Sequence, residues 1–320
     1  MAATKTGKSL AILLILPAVV LLTSGCTDFL GGGAGPSGNG IVITSFQSDL
    51  TEVESEEDVG LHLEVQNQGD VIGYAAAQLI NIDPTAWGGF AFADYDIGEL
   101  LPADKEAGTL GQTGRADWML VSPVLNRGDR RTYKPMVRMF YEYETRIIKP
   151  ITFLTSEETR RAVQAGEALP SEPAIVSAGP LSVNVRTGEF VRTRDDWQMS
   201  YFPVEITIQN TGGGLIAGRN YPIGIDVEAP AGTAFRGGIC PRESQLEYPA
   251  FDMNLPAGIT FPPALNTINM WNGRDITITC ELNVINPPQF RDTRDLKVTL
   301  SYVYYQDAEL QLNVVGTREF

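Results

Sequence analysis

Histidine is almost absent from this 320-residue chain, which carries His62 and no other imidazole. Zinc sites built on several His ligands are therefore excluded. Any Ser-His-Asp or Cys-His mechanism would have to run through His62 alone. That residue falls on the polar side of an alternating run, the position of an ordinary exposed strand residue. Cysteine is scarce as well, with Cys26, Cys240 and Cys280 and no Cys-x-x-Cys pair. No Asn-x-Ser/Thr sequon occurs, so N-glycosylation is not indicated. Basic residues number 24 against 39 acidic, a net charge of −15. That field disfavours docking on nucleic-acid phosphates or on an anionic membrane surface.

The one long apolar run is Leu10 to Leu22, broken only by Pro17. It follows a basic stretch with Lys5 and Lys8 and precedes small residues ending at Cys26. This is the layout of a secretory signal, and the run is short for a membrane span. Leu21-Leu22-Thr23-Ser24-Gly25-Cys26 resembles the lipobox of prokaryotic lipoproteins, in which cleavage before Cys frees it for lipid attachment. Thr23 stands where that motif usually has Leu, with Leu22 one position further out. The reading assigns residues 1–25 as signal peptide and Cys26 as the lipid-bearing residue; the alternative is an uncleaved signal anchor. Either way the membrane is a partner, and the rest of the chain faces outward. Residues 26–40 contain Gly31-Gly32-Gly33-Ala34-Gly35-Pro36-Ser37-Gly38-Asn39-Gly40, a tether with nothing to pack.

Beyond the tether the hydrophobic period is two. Val59, Leu61, Leu63 and Val65 alternate with polar residues, as do Val204, Ile206 and Ile208, and each run ends in Asn-x-Gly (Asn67 to Gly69, Asn210 to Gly212). Later, Val137, Met139, Tyr141 and Tyr143 share a face, and Val298, Leu300, Tyr302 and Tyr304 do the same. Ile276, Ile278, Cys280, Leu282 and Val284 form a further alternation. The repetition predicts an all-β chain of two tandem immunoglobulin-like antiparallel sandwiches, over 41–172 and 173–320, with a short helix between them. Ser156 is the expected N-cap of that helix, Glu157 and Glu158 suit its positive end, and it should run to about Ala168. Pro170, Pro173 and Pro180 follow.

The Asn-x-Gly strand end, the stretch Ile97-Gly98-Glu99-Leu100-Leu101-Pro102 and the final Tyr-x-Tyr strand together resemble archaeal surface proteins. More loosely, they are similar to the cell-adhesion-related immunoglobulin-like family called CARDB. The resemblance implies a sandwich fold and an extracellular spacer or adhesion role, and it carries no catalytic residues.

Removing Cys26 from the count leaves Cys240 and Cys280, an even pair expected to form a disulfide in an exported domain; two buried thiols are the alternative. Trp87, Phe90 and Phe92 form a glycine-interrupted aromatic loop. Buried, they close one end of a sandwich; exposed, they offer a ligand loop. Glu56, Glu57 and Asp58 crowd a connection that is either solvated or a calcium site. Thr6-Gly7-Lys8-Ser9 lacks the upstream Gly and the strand that a phosphate-binding loop needs. Arg127-Gly128-Asp129 reads as a hairpin turn rather than an adhesion tripeptide. No cofactor is implied. The sequence predicts a non-enzymatic, membrane-anchored surface lipoprotein, a spacer or protein-interaction module whose partners would be envelope proteins. The alternative is a glycan- or calcium-binding lipoprotein.

Overall fold

Alternation of apolar and polar side chains, with Gly and Asn where runs stop, makes strands whose one face must be covered. A computed structural model describes residues 40–89, 94–104, 106–167, 172–188, 190–193, 201–241, 255–261 and 266–317. The leader, Cys26 and nearly all of the tether lie outside these residues. In chain order the first half gives β1 (Ile41–Ser48), β2 (Glu52–Glu54), β3 (Asp58–Asn67), β4 (Gly73–Ile80), β5 (Gly88–Gly89), β6 (Tyr95–Leu100), β7 (Thr113–Val121), β8 (Arg130–Tyr133) and β9 (Met136–Thr155). After the single described helix, α1 (Ser156–Ala165), come β10 (Ile175–Val176), β11 (Leu181–Arg186), β12 (Val191–Thr193), β13 (Tyr201–Asn210), β14 (Leu215–Ile216) and β15 (Pro222–Glu228). The chain continues with β16 (Thr233–Phe235), β17 (Thr267–Asn269), β18 (Asp275–Val284), β19 (Arg291–Glu309) and β20 (Leu312–Val315).

Two antiparallel sandwiches result, and the second repeats the order of the first one's main strands. A sheet ordered β1-β3-β7-β5 faces β9-β4-β6; a sheet ordered β11-β13-β18-β16 faces β19-β15-β17. The Asn-x-Gly repeat has a physical purpose at equivalent places. Asn67 is fully buried, and its Nδ2 donates to the carbonyls of Val71 (2.9 Å) and Leu100 (2.8 Å) while Oδ1 accepts from Gly69 N–H at 3.0 Å. In the second copy, Asn210 donates to the carbonyls of Gly214 (3.0 Å) and Gly273 (3.1 Å) and accepts from Gly212 N–H at 3.2 Å. Each amide thus satisfies backbone groups that a tight turn would leave orphaned.

The copies are not beads joined by a linker. Strands β9 and β19 pair antiparallel over nineteen registered positions, from Met136 opposite Glu309 to Leu154 opposite Arg291. The inner sheets of both sandwiches thereby become one nine-stranded sheet. Odd residues of β9 from Val137 to Phe153 and even residues of β19 from Leu296 to Tyr304 turn to the same side, so one hydrophobic core runs through both halves. At its middle Tyr143 faces Tyr302 and Tyr141 faces Tyr304, all four buried. On the opposite side of the sheet Phe140 and Val303 pack with Ala76, Ala217 and Ile259 in a smaller cluster.

Further strands cross between the repeats. Near the C-terminal end of the chain, β20 inserts between β2 and β8 of the first repeat, with Leu312 and Val314 fully buried. In return β9 runs on past the first sandwich to pair with β10 and, in parallel, with β12.

The helix differs from the sequence expectation at its start, and it ends at Ala165 rather than near Ala168. Thr155, not Ser156, is the N-cap: it keeps the extended backbone of β9 (φ −67°, ψ 161°) and its Oγ1 accepts from Glu158 N–H at 3.2 Å. Ser156 is already helical, and its hydroxyl donates to Thr193 O at 3.1 Å. Gly166, at φ +66°, closes the helix after Ala165 through bonds from Gly166 and Glu167 N–H to Val163 O and Ala162 O. Ala168 lies outside the described residues. Among the described residues no helix is long and apolar enough to cross a membrane.

Candidate functional site

The region with the most concentrated chemistry among the described residues is the tyrosine joint between the repeats. Four strictly alternating positions on two paired strands bring the rings of Tyr141, Tyr143, Tyr302 and Tyr304 to centroid separations of 5.5 to 6.4 Å. Tilted and edge-on pairs at this spacing suit the ring quadrupole. Three hydroxyls are satisfied: Tyr143 Oη donates to Ala178 O (2.7 Å), Tyr302 Oη bonds Thr145 Oγ1 (2.8 Å) and Tyr304 Oη donates to Asn210 Oδ1 (2.7 Å). Among the described residues Tyr141 Oη is buried without a partner. Burial pushes the Tyr143 and Tyr304 phenols up to about 12, and those of Tyr141 and Tyr302 well above the ordinary range. The joint leaves no room beside Tyr143: a Cβ on Gly69 would sit 1.8 Å from its oxygen. These groups hold the two halves together and are not open to a ligand.

His62 lies exposed on β3, and its Nδ1 meets Asp117 Oδ1 of β7 at 2.6 Å. Gln47 is its cross-strand neighbour on the other side, and Ser45, Glu64 and Arg115 border the same cleft of about 280 Å³. Among the described residues no hydroxyl or thiol is hydrogen-bonded to the ring, so the nucleophile–base contact that a triad requires is not made.

The acidic connection does not converge. Glu57 turns its carboxylate back to accept from Glu54 N–H at 2.6 Å, Glu56 adopts φ +64° in the turn, and Asp58 starts β3. Among the described residues no group of three or more His, Cys, Asp or Glu could hold a metal ion. Asp94 and Asp96 are likewise engaged, accepting from Gln78 Nε2 and Ala257 N–H and from Tyr74 Oη respectively. The Asp96 bond and its charge raise the Tyr74 pKa.

Trp87 is buried at 3% exposure and stands edge-on to Tyr133 at 5.2 Å. Gly89 beside it has φ +93°, and a Cβ there would come within 2.5 Å of Met119 O, so the loop is glycine-rich for close backbone approach. Phe90 and Phe92 lie outside the described residues. Arg127-Gly128-Asp129 is a turn, with Gly128 at φ +91° and Asp129 N–H donating to Asn126 O at 2.9 Å; Gly316 N–H caps Asp129 O at 2.8 Å.

Cys240 and Cys280 form a disulfide, both residues buried and their Cα atoms 5.7 Å apart. It ties the segment after β16 to the central strand pair of the second outer sheet. Alternation singled out the tyrosines and the Asn-x-Gly turns separately. Their contact, Tyr304 on Asn210, had no sequence signal because the residues are 94 positions apart. No family model matches this chain, and no curated protein matches it.

Proposed function

We propose that this chain is a non-enzymatic surface lipoprotein, anchored through Cys26 in the manner of the lipobox-bearing proteins its leader resembles. Its sandwiches act as a spacer or protein-interaction module, the role implied by the resemblance to CARDB-type and archaeal surface proteins. The observation that carries the reading is the nineteen-position β9–β19 ladder. A spacer must keep its ends apart, and a hinge between modules would defeat it. Here bending would break a continuous sheet and a shared core, together with the β20 and β12 cross-ties. Interfaces of that kind do not leave the domain mobility that a flexible linker does. The disulfide suits an oxidising compartment.

Two measurements test this. Metabolic labelling with an alkyne fatty acid, followed by protease treatment of intact cells, should give a labelled, membrane-associated and surface-digestible protein. Cys26→Ser should lose both label and membrane association. An unlabelled chain protected in intact cells would sink the anchored-surface reading. For the spacer, spin labels introduced at Arg115→Cys on β7 and Thr279→Cys on β18 should report one narrow distance distribution. A broad or two-peaked distribution would mean a hinge, and no spacer.

A further inference from the structure

Of four tryptophans, Trp87 and Trp118 are buried, Trp197 lies outside the described residues, and Trp271 stands 76% exposed. A single exposed apolar residue needs no explanation, but the way Trp271 is held does. It opens the turn Trp271-Asn272-Gly273-Arg274 between β17 and β18. The two central residues take φ of +49° and +66°, the pattern of the tight hairpin turn for which Asn-Gly is the preferred pair. Arg274 N–H donates to Trp271 O at 3.0 Å, and Trp271 N–H donates to Asp275 O at 3.1 Å. The turn is then clamped from outside. Asn210 donates from its side chain to Gly273 O and from its backbone to Arg274 O at 2.7 Å. The Tyr221 ring lies against Gly273 closely enough that a Cβ there would meet it at 3.1 Å.

Strain gathers at the same place. Five described non-glycine residues have positive φ, and three of them, Asn220 (+63°), Tyr221 (+55°) and Asn272 (+49°), line one cleft. For an aromatic residue that conformation is unfavourable and is kept only where the surroundings enforce it, as binding sites do. The cleft has a volume of about 650 Å³, within the range of small-ligand sites. Trp271, Asp275 and Thr277 complete this part of its wall.

The chemistry of the lining narrows the occupant. An indole face stands beside the carboxamides of Asn220, Asn269 and Asn272, which both donate and accept, with the Asp275 carboxylate and the hydroxyls of Tyr221 and Thr277. Asp275 argues against an anion, a single carboxylate argues against a metal, and the polar groups set among the apolar ones argue against a lipid tail. A sugar ring matches both parts, presenting a C–H face to an aromatic plate and a rim of hydroxyls to amides and carboxylate. We infer that this cleft binds a neutral carbohydrate, one pyranose ring seated on Trp271 and its hydroxyls held by Asn220, Asn272 and Asp275. The turn is fixed before binding, so little ordering cost falls on the complex. The inference holds however the chain is attached to its membrane.

The test uses the full-length chain in a non-glycosidic detergent, in a Trp197→Phe background. Cellohexaose, mannohexaose, laminarihexaose, xylohexaose and chitohexaose are titrated separately, and acrylamide quenching of tryptophan fluorescence is read. At least one should bind with submillimolar affinity and shield the quenchable tryptophan. Trp271→Ala should weaken that affinity about tenfold or more at unchanged melting temperature, and Trp271→Phe should recover part of it. Absence of binding by all five sugars up to about 10 mM would overturn the inference. So would binding that Trp271→Ala leaves intact. Sedimentation closes the other route: if the chain self-associates, Trp271→Ala abolishes that association and no sugar competes, the cleft is a contact between copies instead.

Discussion

Raising the pH past the ordinary tyrosine pKa should unfold this protein through its central joint. Tyr143 and Tyr304 are pushed up from 10.0 to about 12, and Tyr141 and Tyr302 well above 10.0, with burial the leading cause in each. The sign follows from proton counting. Between pH 10 and about 12 the unfolded chain releases phenolic protons that the fold retains, so the unfolded state binds fewer protons and stability falls as pH rises. Below pH 10 the contribution is fully present. At about pH 11 an unfolded phenol gains about 1.4 kcal/mol from ionising, while one raised to about 12 gains almost nothing. Tyr143 and Tyr304 alone give a loss of about 3 kcal/mol, and Tyr141 and Tyr302 add to it, against the roughly 5–15 kcal/mol that holds a typical fold. Lys149 works in the opposite sense, because burial lowers its pKa, and Lys149→Met removes that offset. Urea unfolding by circular dichroism at pH 9 and about pH 11, with tyrosinate absorbance recorded in parallel, reads both quantities. The midpoint should fall steeply, and tyrosinate from the buried set should appear only with loss of the β signal. If all 11 tyrosines ionise near pH 10 while the β signal stays intact, the reasoning is refuted.

The hydroxyls of the joint should differ under single substitution. Tyr141→Phe removes a buried oxygen with no partner and is expected to be neutral or stabilising by up to about 1 kcal/mol, whereas Tyr304→Phe strands Gly214 N–H and should cost about 1–3 kcal/mol. Equal losses in thermal melts would contradict this. A stop codon after Leu310 deletes β20 and should destabilise the first repeat by about 4 kcal/mol or more, since Leu312 and Val314 leave the core and β2 and β8 lose their shared partner. Exchange of β3 amides would report it, and unaltered protection there would show β20 to be dispensable. Replacing Cys240 and Cys280 together with Ala opens a 40-residue loop and should cost about 4 kcal/mol on the chain-entropy account. An unchanged denaturation midpoint would argue against that account here.

Much of the fold was legible because period-two alternation is a local property. The runs at Val59, Val204 and Ile276 can bury one face only as strands, and Asn67 and Asn210 mark their ends because an amide can serve several backbone groups at once. The helix was placed correctly but its cap was not, since Thr155 doubles as the last residue of β9 and only the strand's extent reveals that. Candidate sites were less legible. Trp87 and Trp271 both lie within two residues of a glycine in turn-rich segments, yet one is buried against Tyr133 and the other is exposed on a clamped hairpin. Which of two such rings meets solvent depends on what packs over it. The acids from Glu52 to Asp58 are neighbours in sequence, yet among the described residues no three of them are placed to hold a metal ion.

Sequence by itself determined the all-β class, the duplication and the faces of the long strands, through spacing that each strand carries within itself. Tertiary structure alone decided the partners. The alternation of β9 fits any neighbouring strand of suitable pattern, and that of β20 would serve either repeat equally well. Only the assembled core selects β19 for the first, where four tyrosines meet, and the gap between β2 and β8 for the second. Pairing is a long-range choice driven by buried area and shared backbone bonds, and no local pattern encodes it.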